Sequence, residues 1–122
     1  MYRMRLAVLG LLLATLSGCA SSTPATPLTA IDPLVGKWKG TATIGPIVTV
    51  LHLTVYPDRT LVAIWGSTTS RGTVTISGGQ AGYEMGPPRQ EGTLRFYAGP
   101  GKPQLYMESM SGSFYATLER DS

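Results

Sequence analysis

Between Leu34 and Glu119, apolar and polar side chains alternate with a period of two residues, in short runs that end at glycines or prolines. Successive side chains of a β-strand point to opposite faces, so this alternation is typical of half-buried strands. No part of the region repeats its apolar residues at helical spacing over three turns. The pattern therefore predicts an all-β fold.

Turn signals divide this region into eight short predicted strands. We expect them at residues 36–44, 47–56, 61–67, 72–77, 81–85, 91–97, 104–109 and 113–120. Short, evenly spaced strands joined by tight turns are typical of a meandering antiparallel sheet, and closure into a barrel removes its exposed edges. We therefore predict one small antiparallel up-and-down β-barrel over residues 34–120, with a curled open sheet or a sandwich as alternatives.

The phase of each predicted strand selects the side chains that face the interior. An eight-stranded barrel is just wide enough for side chains to fill it or for one small ligand. We expect the inward side chains to fill most of the space, although Met85 and Met107 have adaptable thioethers that can repack around an apolar guest. The predicted inward set is Trp38, Ile44, Leu51, Leu53, Val74, Ile76, Leu94, Phe96, Leu105, Met107, Phe114 and Leu118.

The first residues of the chain have the pattern of a secretory signal peptide. A basic start with Arg3 and Arg5 precedes an apolar stretch at residues 6–16, and small residues then lead to Cys19, the only cysteine. A stretch of about 11 apolar residues is too short for a membrane span, which needs about 20. We therefore expect residues 1–18 to be removed.

The segment Leu16-Ser17-Gly18-Cys19 resembles the lipobox of bacterial lipoproteins at all four positions, which read Leu, small, small, Cys. The resemblance implies a diacylglyceryl thioether on Cys19, cleavage after Gly18 and acylation of the new amino terminus. It also implies a lipid-anchored protein of the cell envelope. In a Gram-negative cell, Ala20 implies the outer membrane, with the domain facing the periplasm.

Residues 19–33 join the lipidated cysteine to the predicted barrel. The segment from Ala20 to Asp32 is rich in Ser, Thr, Ala and Pro and has no apolar periodicity, so we predict a flexible linker. In an extended polyproline conformation these residues would reach roughly 40 Å.

The charge balance of the mature chain argues against a nucleic-acid partner. Removal of Arg3 and Arg5 with the signal peptide leaves eight basic residues against seven acidic ones, a net charge of about +1. The remaining basic residues are scattered and form no stripe that could neutralise a phosphate backbone. We therefore expect no binding to nucleic acid.

The first predicted strand opens with Gly36-Lys37-Trp38, which resembles the Gly-x-Trp opening of the calycins, a group that includes lipocalins, fatty-acid-binding proteins and avidins. In that group the tryptophan closes one end of the barrel beneath a basic side chain from near the last strand. The resemblance implies this structural role for Trp38. Arg120 is the matching basic residue, because it has the inward phase of the last predicted strand.

Few residues of the chain could support catalysis or metal binding. His52 is the only histidine and has the outward phase of its strand, and no serine lies in a Gly-x-Ser-x-Gly elbow. Glu84 and Glu91 flank the Pro87-Pro88 loop but do not share an inward phase. We therefore expect a non-catalytic protein without cofactor or metal.

Two binding functions and one structural function remain open. The calycin resemblance favours capture of a small hydrophobic ligand in the barrel mouth. The alternative is a protein-binding module of the cell envelope, such as an inhibitor of a hydrolase. The structural function is that of a periplasmic spacer or assembly factor with no discrete pocket. Tyrosine is enriched at interface anchors, so the outward Tyr97, Tyr106 and Tyr115 are candidate interface residues, together with the loops at residues 86–90 and 98–103.

Overall fold

The computed structural model describes residues 24–121, which form eight strands after a short 3-10 helix at Asp32–Leu34. Each strand pairs antiparallel with the next, and the last pairs with the first. The predicted all-β, up-and-down barrel of eight strands is confirmed. The strands are β1 (Gly36–Ile44), β2 (Ile47–Val55), β3 (Thr60–Trp65), β4 (Thr68–Ser77), β5 (Gln80–Gly86), β6 (Gln90–Tyr97), β7 (Gln104–Ser109) and β8 (Phe114–Arg120).

The barrel has two distinct ends. We call the end that carries the 3-10 helix and the β2–β3, β4–β5 and β6–β7 connections the closed end. The other four connections lie at the opposite end, which we call the hairpin end. Antiparallel neighbours fix this arrangement, because each strand reverses the direction of the previous one. The described residues contain no helix long and apolar enough to cross a membrane.

The start of β4 differs from the prediction. The strand begins at Thr68, four residues before the predicted start, and pairs with β3 from its first residue. Its residue Ser70 faces inward and is fully buried, and its hydroxyl donates a hydrogen bond of 2.6 Å to the carbonyl oxygen of Pro87. A satisfied hydroxyl can occupy a core position that alternation of apolar residues does not identify.

The buried core extends beyond the predicted inward set. Ile44 and Ile76 are only half-buried, because each lies close to an end of its strand. The predicted inward set names no residue of β3, and in the structure the odd-numbered residues of this strand face inward. The additional buried apolar residues of the strands are Ala42, Val55, Leu61, Ala63, Trp65, Ala81, Tyr83, Met85 and Ala116.

Three inward-phase glycines allow the sheet to bend into a narrow barrel. At each of them the neighbouring strand passes so close that a Cβ atom would overlap a backbone carbonyl oxygen. Glycine in a strand often marks such a close approach of another backbone. The three contacts join Gly40 to Thr117, Gly72 to Glu84 and Gly92 to Glu108.

The predicted flexible linker does not extend over residues 24–33, which pack on the closed end of the barrel. The amide of Thr26 donates to the carbonyl oxygen of Phe96 at 2.7 Å, and that of Leu28 donates to Gly79 at 2.9 Å. Leu28 and Ile31 are only 2% and 7% exposed. Two isolated apolar residues carry no periodicity, so their burial could not be predicted. Residues 19–23 and the expected signal peptide at 1–18 lie outside the described residues.

Candidate interaction surface

Trp38 and Arg120 meet at the closed end, where the two residues are partners in the β1–β8 pairing. The guanidinium carbon of Arg120 lies 4.2 Å from the centroid of the Trp38 ring. The guanidinium also donates to the carbonyl oxygens of Val35 and Pro33, and the indole nitrogen of Trp38 donates to Leu34 at 2.9 Å. These contacts fasten the 3-10 helix across this end of the barrel.

Side chains fill the barrel interior. One aromatic pair lies toward the closed end, where Trp38 and Phe96 make an edge contact with ring centroids 6.3 Å apart. A second lies toward the hairpin end, where the centroids of Trp65 and Phe114 are 5.5 Å apart. All fully inward residues of the core are at most 8% exposed. The packing therefore leaves little room along the barrel axis for a guest molecule.

Two polar atoms inside the barrel have no hydrogen-bond partner among the described residues. They are the hydroxyl oxygen of Tyr83 and the side-chain oxygen of Gln90. Burial raises the pKa of Tyr83 to about 12, and the negative charge of Glu108 acts in the same direction. An unpaired buried hydroxyl lowers stability, so Tyr83 is a weak point of an otherwise well-packed core.

We expect Tyr83→Phe to be neutral or to stabilise the domain by up to about 1 kcal/mol at pH 7, because it removes an unpaired hydroxyl. Between pH 10 and 12 the unfolded chain loses a phenolic proton that folded Tyr83 keeps, so wild-type stability falls across this window. The Tyr83→Phe variant lacks this phenol, so its stability does not include this fall between pH 10 and 12. Urea denaturation at pH 7 and at several values between 9 and 12 measures both effects. If the difference in unfolding free energy between the wild type and the variant stays constant from pH 9 to 12, the raised pKa of Tyr83 is contradicted.

Three concavities formed by the described residues lie on the outside of the molecule or at its closed end. Those of about 350 and 410 Å³ flank the docked segment at residues 24–28. The third, of about 470 Å³, lies on β4 and β5 beside Arg71, Glu84 and Arg89. It is the most open of the three, and its ion pair between Arg89 and Glu84 is solvent-exposed at 3.7 Å. None of these features provides an enclosed site.

An uncharged patch crosses β8, β1 and β2 near the hairpin end. Val48 and Val50 are 65% and 51% exposed, and Tyr115 is 44% exposed. The register places six outward side chains in two adjacent rows, which together we call the hairpin surface. The first row is Tyr115, Thr43 and Val48, and the second is Thr117, Thr41 and Val50.

Charged and polar groups border the hairpin surface toward the closed end. The next outward row contains Lys39, with Glu119 on one side and His52 on the other. At the tip of the β1–β2 hairpin the surface ends at Ile47, which is 61% exposed. Apolar residues inside a polar rim are the usual anatomy of a protein–protein interface.

Sequence reasoning missed most of the hairpin surface. The predicted inward set does not include Ile47, and the candidate interface residues include none of Ile47, Val48 and Val50. The available signal was the run from Ile47 to Val50, where apolar residues occupy both phases of the strand. Such a run at the end of a hairpin, beyond the packed barrel, indicates exposed apolar side chains.

The three candidate tyrosines form a diagonal stripe across β6, β7 and β8. Register makes Tyr106 a diagonal neighbour of both Tyr97 and Tyr115. Of the three, only Tyr115 belongs to the hairpin surface. Tyr97 lies at the closed end, where it lines the concavity beside the docked N-terminal segment.

The side chain of Tyr106 contacts two charged residues, Arg95 and Glu108. The guanidinium carbon of Arg95 lies 5.9 Å from its ring centroid, and its hydroxyl donates to Glu108 at 3.4 Å. Desolvation first, and then the charge of Glu108, raise the pKa of Tyr106. These contacts place a polar border beside Tyr115.

Among the described residues, no group of three or more His, Cys, Asp or Glu side chains lies close enough to hold a metal ion. His52 is exposed on the outer face, between Lys39 and Ile64 in the sheet register. Cys19, the expected lipidation site, lies outside the described residues.

The chain matches no protein-family model, no curated protein and no solved structure. The arguments about its function therefore depend on its own residues and geometry.

Proposed function

We propose that this chain is a lipid-anchored protein of the bacterial cell envelope whose barrel binds another protein noncovalently through the hairpin surface. In this proposal the protein is not an enzyme and uses no cofactor or metal. The observation that carries the proposal is the combination of a filled barrel with an exposed, uncharged patch of six outward side chains.

The filled interior argues against the other sequence-based hypothesis, capture of a small hydrophobic ligand. Pockets for such ligands have volumes of about 300 Å³ or more and enclose most of the ligand surface. In this barrel the Trp65 and Phe114 rings meet near the hairpin end, and the aliphatic side chains between the two aromatic pairs are fully buried. A guest would have to displace core side chains, at a cost in folding free energy.

Contact with a protein partner would remove the exposed valines of the hairpin surface from water, which is energetically favourable. Burying an exposed valine side chain stabilises a complex by about 1.5 kcal/mol or more, and Val48 and Val50 point to the same side of β2. Threonines between them and Tyr115 add hydroxyl groups without charge. Strands paired into a closed barrel leave no free edge, so the contact is made by side chains rather than by strand addition.

The lipid anchor is supported by the sequence alone. Leu16-Ser17-Gly18-Cys19 follows a basic start and an apolar stretch at the position where lipoprotein precursors are cleaved. Two or three acyl chains hold a protein on a bilayer stably, whereas a single chain binds only marginally.

The combined substitution Val48→Thr and Val50→Thr tests the protein-binding proposal. A photo-crosslinking amino acid at position 50 first traps the neighbouring protein in intact cells, and the identified protein is then purified for affinity measurements. Threonine keeps the branched shape but places hydroxyls in an apolar contact, so we expect the dissociation constant to rise at least about tenfold.

Tyr56→Ser is the matched control for this experiment. Tyr56 is also an exposed large side chain, 43% exposed, but it lies at the closed end. We expect it to leave affinity unchanged. Equal affinities of the wild type and the valine double variant would refute the role of the hairpin surface.

A further inference from the structure

The docked N-terminal segment fixes where the chain leaves the barrel. Besides the amide contacts of Thr26 and Leu28, the hydroxyl of Thr26 accepts a hydrogen bond from the amide of Ala98 at 3.0 Å. Leu28 is almost completely buried. Pro24 lines a concavity with the β6–β7 loop, including Lys102. The chain therefore enters the domain at the closed end, beside the β6–β7 loop.

The distance from Cys19 to this point is short. Only the residues between Cys19 and Pro24 separate the expected lipid from the docked segment. Five residue steps of extended chain span at most about 17 Å. A free linker up to the first strand would instead reach roughly 40 Å. Docking of residues 24–34 thus more than halves the reach of the tether.

We propose that the closed end of the barrel faces the anchoring bilayer at short range and that the hairpin surface faces away from it. This inference rests on the proposed lipidation of Cys19. Strand β1 has nine residues. At about 3.3 Å per residue and a tilt of about 40°, it separates the two ends by roughly 20 Å along the barrel axis.

This orientation defines the partner of the hairpin surface. A patch directed away from the anchoring membrane cannot insert into that membrane, so its apolar residues Val48 and Val50, and the neighbouring Ile47, are available to a protein in the aqueous compartment. The partner is therefore an aqueous protein domain with an uncharged apolar face, rather than lipid.

Energy transfer from the protein to the membrane tests the orientation. Cys19 is the only cysteine and is blocked by lipidation in the mature protein, so an introduced cysteine is the single free thiol. Ser67→Cys reports on the hairpin end and Lys102→Cys on the closed end, and both positions are exposed. The full-length variants are produced in lipidated form, labelled with a donor dye and reconstituted into phosphatidylcholine vesicles that carry a headgroup acceptor.

We expect about twofold or greater transfer efficiency from position 102 than from position 67, because the two sites differ by roughly 20 Å in height. Equal transfer from vesicle-bound protein would overturn the orientation and leave the anchor intact. Protein that fails to bind vesicles, like a Cys19→Ser control, would overturn the proposed anchor and the orientation together.

A substitution, its control and an insertion test the role of the docked segment. Leu28→Ser removes its buried side chain and releases the segment, whereas Ala30→Ser changes an exposed neighbour and serves as the control. Since Leu28→Ser could also weaken the barrel, an insertion of ten Gly and Ser residues between Ser22 and Thr23 lengthens the tether without altering the domain. We expect both Leu28→Ser and the insertion to reduce the difference between the two labels. An unchanged difference after the insertion would overturn the proposal.

Discussion

Gly92→Ala is expected to lower the free energy of unfolding by at least about 3 kcal/mol, because the new methyl group cannot fit without moving a strand. A Cβ atom at this position would overlap the carbonyl oxygen of Glu108 and crowd Ser109 on β7. Backbone atoms cannot rotate away as a flexible side chain can. Small domains are stable by only about 5 to 15 kcal/mol, so the variant loses a large share of its stability.

Urea denaturation of the domain, followed by far-ultraviolet circular dichroism, measures this loss. The matched control is Gly82→Ala on the neighbouring strand β5, where the nearest atom to a Cβ is the carbonyl oxygen of Gly92 at 3.3 Å. A small adjustment accommodates this contact, so we expect a change within about 1 kcal/mol. Equal effects of the two alanines would contradict a special role of Gly92 in barrel closure.

Arg120→Ala is expected to cost about 3 kcal/mol. The side chain makes charge-assisted hydrogen bonds to the carbonyl oxygens of Val35 and Pro33, each contributing roughly 1.5 kcal/mol or more. Its position over the Trp38 ring contributes about 0.5 to 2 kcal/mol more. Partial solvent exposure of Arg120 reduces the sum of these contributions. Without the Arg120 side chain, the 3-10 helix and the adjacent Val35 lose their hydrogen bonds to the last strand.

Two variants separate the roles of charge and geometry at Arg120. Arg120→Lys keeps the positive charge but not the forked donor, so we expect about half of the loss. Arg95→Ala removes a guanidinium that also lies near an aromatic ring, Tyr106, but at an exposed site, and should cost less than about 0.5 kcal/mol. Thermal unfolding and hydrogen exchange of the Leu34 amide follow these changes. Similar losses for Arg95→Ala and Arg120→Ala would contradict the proposed contribution of Arg120 through its hydrogen bonds and its position over the indole.

These effects on stability are distinct from the proposed binding function. Gly92 and Arg120 shape and close the barrel, whereas Val48 and Val50 lie on its outer face with their side chains in solvent. Substitutions of the two valines should therefore alter affinity while leaving the unfolding midpoint nearly unchanged.

The sequence by itself determined the fold class and the approximate bounds of the eight strands. Both follow from the period-two alternation and from turn residues, which are local properties of the chain. The contact between Arg120 and Trp38 was implied by the resemblance of Gly36-Lys37-Trp38 to the calycin opening, with the inward phase of Arg120 selecting it as the basic partner.

Only the tertiary structure decided how far each strand extends past the packed core. Alternation puts Ile47 on the same side of β2 as the buried Leu51, but the β1–β2 hairpin continues beyond the filled part of the barrel and leaves Ile47 in solvent. Val48 and Val50 are exposed for a different reason, because they point outward from β2. Alternation specifies which side of a strand a residue occupies, whereas its exposure depends on how neighbouring strands are offset around the barrel.

The tertiary structure also decided the role of the segment before the first strand and of the inward glycines. Leu28 is buried because the open space between the β4–β5 turn and the end of β6 accepts it, and no residue near Leu28 in sequence indicates that space. Gly92 is required because β7, which follows it in the chain, folds back across its Cβ position. Local periodicity therefore determined the strands of this protein, and long-range packing determined the docking of residues 24–33, the closure of the barrel and its exposed surface.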